Sequence, residues 1–355
     1  MSLLAHLTAR ITQDGPLTIA DYMADCLLHP VHGYYTTRDP LGTEGDFTTA
    51  PEISQMYGEL LGLCLAQSWL DQGAPASFTL AELGPGRGTL MADLLRATKA
   101  VPGFHAAMHI KLIEASPPLR AAQAQTLSDY KPDWLDTVGA LPDAPLFLVA
   151  NEFFDALPVR QFVRDGEMWR ERCVGLTDGK LTIGLGAAAP QPALQGRLED
   201  TKDGDLVELC PAASPITEQI AQTIATQGGA AVIVDYGDWR SLGDTLQALR
   251  SHAPADPLEA PGTADLTTHV DFETLGAAIH AGGAQHSRVT PQGVFLERLG
   301  ITPRANKLAQ ALSGDALGTL IAAHKRLTHP QEMGNLFKVI GIYPEHAQPP
   351  AGLEP

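Results

Sequence analysis

The sequence predicts an α/β protein built on an open, mostly parallel sheet, and three observations predict it. From residue 78 onward, short apolar runs of strand length alternate with amphipathic helical stretches, the rhythm of successive βα units. Several runs are continuously apolar rather than alternating, as in LFLVAN (146–151) and AAVIV (230–234), which suits strands covered on both faces. The stretch 80–95, LAELGPGRGTLMADLL, sets three glycines at alternate positions between a strand and a helix.

Residues 1–75 read as a helical region. Thr18 with Asp21 makes a weak capping box, and Ile19, Met23, Cys26 and Leu27 follow at helical spacing until Pro30 and Gly33 end the pattern. After a glycine-bearing loop, Thr49-Ala50-Pro51-Glu52 reads as a second capping box with proline in the first turn. The helix behind it runs to about Asp71, with Gly73 as its C-terminal cap. It is apolar almost all round from Leu60 to Leu70, so burial is expected. The α/β pattern then gives a strand over 78–83, a helix from Thr89, a strand over 109–114, and an alanine-rich helix opened by Ser116 and Pro117. Pro145 precedes the strand LFLVANE. Residues 156–210 break the rhythm with β-prone runs punctuated by Gly166, Gly175 and Gly179, an inserted β-meander or hairpin pair. A helix from Ser214, a strand over 230–237, a helix capped by Asp271, two or three helices over 292–328 and a last strand over 336–342 complete the chain. The expected organisation is a helical region at 1–75, the α/β domain at 76–345 with insertions at about 156–210 and 292–330, and a flexible tail at 346–355.

Glycine is needed where the backbone takes positive φ or lets a ligand approach closely, and a strand–glycine loop–helix unit forms nucleotide-cofactor sites. The dinucleotide fingerprint G-x-G-x-x-G would put its third glycine at position 89, which is Thr89; here it is Gly88. No Gly-Lys-Ser/Thr follows, so the loop is not a P-loop. The pattern E-x-G-x-G-x-G, from Glu82 through Gly84 and Gly86 to Gly88, instead resembles motif I of S-adenosylmethionine (SAM) dependent methyltransferases. The alternative is a glycine-rich turn without a ligand.

Composition narrows the class further. The 355 residues, 44% hydrophobic, suffice for one large or two modest cores. A net charge of −17 argues against nucleic acid as substrate and suits a cationic partner, such as an arginine- or lysine-bearing protein. The four scattered cysteines contain no C-x-x-C pair, which argues against a zinc site or disulfide framework and for a reducing cytoplasm. No apolar run reaches the roughly 18 residues of a membrane span.

Glu114 ends the second predicted strand, where an acid can accept from the ribose diol of an adenosine; otherwise it is a solvated strand-end acid. Glu82 would sit beneath the loop and hold its amides, or face the ligand's amine. Asn151, Glu152 and Asp155 follow a strand's carboxyl end, where open α/β sheets build their sites. A carboxylate pair there would orient a nucleophile such as a guanidinium, which is cationic with a pKa above about 12, and accept its proton. The alternative has Asn151 and Asp155 capping the next turn and Phe153 and Phe154 in the core. Asp46, Glu52 and Tyr57 would close over the cofactor, although capping is the leading role for Glu52. Asp235-Tyr236-Gly237 is either a site edge or a plain turn, and His269 beside Asp271 is a weaker general-base candidate.

Seven blocks match one family in order: 47–59 (FTTAPEISQMYGE), 82–96 (ELGPGRGTLMADLLR), 114–120 (EASPPLR), 151–162 (NEFFDALPVRQF), 264–272 (ADLTTHVDF), 292–296 and 333–339 (MGNLFKV). Across nearly the whole chain, the sequence resembles the SAM-dependent methyltransferases that include MidA and the mitochondrial complex I assembly methyltransferase. The resemblance implies a class I methyltransferase fold, Rossmann-like with a mostly parallel seven-stranded sheet and inserted segments. It places Gly84, Gly86, Gly88 and Glu114 at the cofactor. It also implies protein-arginine methylation on a complex I subunit. A bacterial cytoplasmic setting is expected, with the mitochondrial matrix requiring a removed presequence. Two other readings stand beside it: an assembly chaperone that binds SAM without transferring methyl, and an NAD-type oxidoreductase, which Gly88 disfavours.

Overall fold

The structure is a computed structural model describing residues 2–37, 49–250 and 252–355; Asp46 lies outside the described residues. The chain divides into two compact units. One comprises Met1–Phe47, Asp155–Ala213 and Arg240–His269; the other comprises Thr48–Phe154, Ser214–Trp239 and Val270–Pro355. The first division therefore falls well before residue 75, because the helix expected to close the N-terminal region packs on the sheet of the second unit.

That second unit holds, in chain order, helix α1 (Gln55–Asp71), β1 (Phe78–Leu83), α2 (Thr89–Thr98), β2 (Met108–Ile113), α3 (Pro117–Thr126), β3 (Asp133–Leu135), β4 (Leu146–Asn151), β5 (Gly229–Asp238), β6 (Gln285–His286) and β7 (Phe337–Tyr343). The strands are ordered β6-β7-β5-β4-β1-β2-β3, with Val270–Asp271 pairing beside β5 and Thr290–Pro291 beside β7. β5, β4, β1, β2 and β3 run parallel, while β7 is antiparallel to both β5 and β6. Every residue of β1 and β4 is buried, as their unbroken apolarity requires. β3 is three residues long, too short to leave a readable pattern.

α1 is buried along most of its length, but Leu63 and Leu70 reach solvent. It lies against α2 through Gly58 and Gly62. A Cβ on Gly58 would come within 2.7 Å of Asp93 Cβ, and one on Gly62 within 2.8 Å of Leu94 Cγ and 2.9 Å of Leu94 Cα. An alanine at 62 would push the helices apart and open voids in a core containing Leu61, Leu65, Leu90 and Leu94. Three helices, Gln292–Arg298, Ile301–Ala309 and Gly314–Thr328, fill the second expected insertion. The tail expected to be flexible is packed down: Leu353 joins the core, and Arg288 N donates to Glu354 O at 2.8 Å.

The other unit contains helices Leu3–Asp14 and Ile19–Leu28 and an antiparallel sheet. In it Met168–Thr177 pairs with Leu17–Thr18, Arg160–Asp165 and Lys180–Ala189, and Leu206–Leu209 pairs with Arg160–Asp165. A three-stranded sheet of Ala253–Ala255, Gln247–Arg250 and Asp265–Thr267 belongs to the same unit. Thr18 caps the second helix through Asp21 N at 3.0 Å, while its hydroxyl donates to the Asp21 carboxylate at 2.6 Å. No helix among the described residues is long and apolar enough to cross a membrane.

Candidate active site

The strand order reverses between β1 and β4, which are adjacent and parallel; their carboxyl ends therefore open a crevice. The glycine loop leaves β1 there, and residues 152–154 leave β4. Gly84, Gly86 and Gly88 all take positive φ, at 57°, 55° and 82°. A Cβ on Gly84 would lie 3.1 Å from Phe153 Cδ2, so the two loops touch at that glycine. Gly88 is also the left-handed N-cap of α2.

Glu82, the penultimate residue of β1, is 3% exposed. Its carboxylate accepts from the Met91 amide in the first turn of α2, and its Oε2 has no hydrogen-bond partner. Burial, reinforced by the nearby Glu114 carboxylate, pushes its pKa up to about 8. Glu114 follows β2. One of its oxygens accepts from Ser116 N at 2.8 Å and the other from Gln123 Nε2 at 3.2 Å. Burial raises its pKa against the pull of these bonds. Gln123, fully buried on α3, also donates to Gly86 O at 2.7 Å and accepts from Trp134 Nε1 of β3 at 2.7 Å. Gln123 and Trp134 escape the sequence reading: Gln123 sits in an alanine-rich helix with Gln125 beside it, and nothing in the spacing singles it out.

At the end of β4, Asn151 accepts from the Tyr57 hydroxyl at 2.5 Å through Oδ1, and its Nδ2 donates to Glu152 Oε1 at 3.1 Å. Ala50 N donates to the same Glu152 oxygen at 3.2 Å. Glu152 has φ of 51°, in the left-handed region that disfavours a side chain, and its own amide donates to Val234 O. Behind it, Asp235 is completely buried and accepts from Phe154 N and Tyr236 N. Tyr57 is also completely buried. Burial, with Glu152, Asp235 and Glu82 adding to it, holds its phenol well above the usual tyrosine pKa.

One expectation is corrected. The Thr49–Glu52 capping box is not formed: Thr49 makes no side-chain cap bond, and Glu52 accepts from the Thr89 hydroxyl at 2.6 Å, at the start of α2. Asp155, expected to act with Glu152, is the first residue of the second segment of the other unit. Its carbonyl accepts from Thr268 N, and its charge acts on Tyr35, which donates to Asp265. His269 also lies in that unit, with its amide on Thr245 Oγ1, whereas Asp271 caps helix Phe272–Ala281 in the α/β unit.

These residues suit a nucleoside cofactor carrying a cationic amino-acid end. Gly84 is exposed and Gly86 half-buried, Glu114 retains accepting capacity for a ribose hydroxyl, and the orphaned Glu82 oxygen would take an ammonium. Such a site on this strand order defines a class I SAM-dependent methyltransferase. The chain belongs to that family of S-adenosyl-L-methionine-dependent methyltransferases, whose family model matches residues 60–290. It is 37% identical over 371 residues to protein arginine methyltransferase NDUFAF7, mitochondrial, of Mus musculus, covering 96% of this chain and 84% of the relative. Against the Xenopus laevis protein of the same name it is 36% identical over 373 residues, covering 97% and 84%. A crystal structure of a COG1565 superfamily member from Burkholderia thailandensis bound to S-adenosyl-homocysteine matches with a TM-score of 0.83. That match has 30% sequence identity and covers 96% of this chain and 91% of that one. The enzyme is a methyltransferase and its cofactor is SAM.

Proposed function

We propose that the enzyme methylates an arginine side chain of a protein, and that the acceptor is a subunit of a respiratory complex I-type assembly. The names of the NDUFAF7 relatives support the arginine reading, and the earlier family resemblance supports the acceptor. The observation that carries the reading is Glu152. It is a carboxylate held in an unfavourable backbone conformation beside the glycine loop, with one oxygen fixed by Asn151 and Ala50. A guanidinium is a weak nucleophile because it is cationic and its lone pairs are delocalised. Glu152 orients it by a charge-assisted hydrogen bond and accepts the proton that the attacking nitrogen must lose. SAM supplies the electrophilic methyl. Asn151 is the proposed partner that sets the Glu152 carboxylate, with Tyr57 behind it. Asp155 is proposed to anchor the chain leaving the site through Thr268. Glu82, Gly84, Gly86, Gly88 and Glu114 are the proposed cofactor residues. The animal relatives are named as mitochondrial; for this chain we propose a bacterial cytoplasm.

The test is transfer of labelled methyl from SAM to a complex I-type subunit, with mass spectrometry locating the label. Label on an arginine, lost when that arginine becomes lysine, is the expected result. Label on another residue type overturns the arginine reading. Binding to the subunit without any label, while S-adenosyl-homocysteine still binds, would instead favour an assembly protein that uses SAM as a structural ligand.

A further inference from the structure

We propose that Gln123 is a positioning residue that orients Glu114 and thereby sets the preference for a ribose-bearing over a deoxyribose-bearing cofactor. The proposal rests on the reading of Glu114 as the ribose acceptor. Its geometry is fixed by hydrogen-bond chemistry. The Trp134 indole nitrogen is only a donor, so the Gln123 carbonyl oxygen must face it, at 2.7 Å. The amide nitrogen is then turned toward two acceptors, the Gly86 carbonyl at 2.7 Å and Glu114 Oε2 at 3.2 Å. Flipping the amide would set oxygen against both of those acceptors and nitrogen against the indole donor, so a single orientation is allowed.

Glu114 is thereby clamped from both sides. Ser116 N holds one oxygen and Gln123 holds the other, which fixes the plane of the carboxylate and leaves its other lone pairs directed. A carboxylate accepts up to about four hydrogen bonds, so with Ser116 N, the Ala115 amide and Gln123 on it Glu114 can still accept from a ribose hydroxyl. The same side chain ties the acid to the loop: Gln123 binds the Gly86 carbonyl, and a Cβ on Gly88 would lie 3.6 Å from Gln123 Cα and Cγ. Because Gln123 is fully buried, removing it leaves the Gly86 carbonyl and the indole without these partners and leaves Glu114 held only by the amides of its own loop, Ala115 and Ser116. A purely structural glutamine would weaken every ligand alike, whereas a positioning glutamine weakens only ligands carrying the diol.

The experiment compares calorimetric binding of S-adenosyl-homocysteine with that of its 2′-deoxyribose analogue. The wild-type enzyme is expected to prefer the ribose form by about tenfold to a hundredfold, the value of hydrogen bonds to a charged group. In Gln123→Met the preference should fall below about threefold, through weaker binding of the ribose form with the deoxy form nearly unchanged. Equal weakening of both ligands overturns the proposal. Glu114→Gln separates the two layers: an unchanged preference there removes the ribose role of Glu114, and the proposal with it. A preference lost in Glu114→Gln but kept in Gln123→Met removes the role of Gln123 alone. If Gln123→Met does not fold, Trp134→Phe frees the amide while leaving it in place. It should lower the preference at least about threefold, and a folded Trp134→Phe enzyme with full preference overturns the proposal.

Discussion

The Tyr57 hydroxyl donates to Asn151 Oδ1 at 2.5 Å, joining α1 to the end of β4 across 94 residues of sequence. The Asn151 amide group is thereby turned so that its nitrogen faces Glu152. A buried phenol whose pKa lies well above its usual value stays protonated at any working pH, so it serves as a fixed donor rather than a base.

Tyr57→Phe removes that donor and leaves the ring. The fold should lose about 1–3 kcal/mol, the cost of a buried acceptor left unmet. Methyl transfer should fall about tenfold to a hundredfold, since Glu152 would be held less closely. Affinity for S-adenosyl-homocysteine should change less than about threefold. Steady-state kinetics and calorimetry check this; an equal loss in both would place Tyr57 in the cofactor pocket instead.

Glu82 gives the enzyme a pH signature. Its folded pKa, about 8, lies above the unfolded carboxyl value. Between the two values the folded state keeps a proton that the unfolded state has released. Stability attributable to Glu82 is therefore full in acid, falls as pH rises toward 8, and is level beyond. Each pH unit in that window costs at most about 1.4 kcal/mol. Glu82→Gln still accepts from the Met91 amide but cannot ionise. In urea unfolding from pH 5 to 8.5, its stability relative to wild type should rise with pH, and a flat difference would show that Glu82 is ionised throughout.

The sheet was largely legible because its strands are buried on both faces, so their apolarity is unbroken and their ends are marked by glycine, proline or an acid. β1 falls at the residues the pattern indicates, 78–83. What pattern could not show was the partition of the chain. The helices Leu3–Asp14 and Ile19–Leu28 and the helix from Gln55 are all helical in spacing, yet they enter different cores, because amphipathic period records that a face is buried and not against what. The same limit applies in the site. Glu82, Glu114 and Glu152 stand at strand ends and can be read from position. Gln123 works through tertiary neighbours 37 residues back and 11 residues on, and Glu152's positive φ leaves no mark in its residue type. Asp155 is three residues from Glu152, and nothing in that spacing marks that the chain changes unit between Phe154 and Asp155.

Gly84→Ala tests the meeting of the two loops. At φ of 57° an alanine costs about 1–2 kcal/mol, and its Cβ at 3.1 Å from Phe153 also displaces that ring. Affinity for S-adenosyl-homocysteine should fall on the order of tenfold. Gly73→Ala is the control: Gly73 also has positive φ, at 84°, but a Cβ there meets nothing within 4 Å. It should destabilise the protein similarly and leave binding intact. Comparable binding losses in both variants would reduce the Gly84 effect to general strain.

Glu152 combines a strained backbone with the proposed chemistry, and three substitutions separate the two. Glu152→Gln keeps an oxygen for Ala50 N and Asn151 Nδ2, so stability should stay within about 1 kcal/mol of wild type. It loses the basic carboxylate, so transfer should drop at least about a hundredfold, with cofactor affinity unchanged. Glu152→Ala and Glu152→Gly both lose the acceptor and should be equally inactive. They differ in the backbone alone, because alanine keeps the cost of the left-handed conformation and glycine does not. The glycine variant should therefore be the more stable by about 1–2 kcal/mol, a reversal of the order seen where residue 152 would be extended or right-handed. Chemical denaturation of the pair measures it directly. If alanine proves as stable as glycine, the backbone at 152 stores no strain. If Glu152→Gln also retains most of its transfer rate, the proton leaves the acceptor nitrogen by another route.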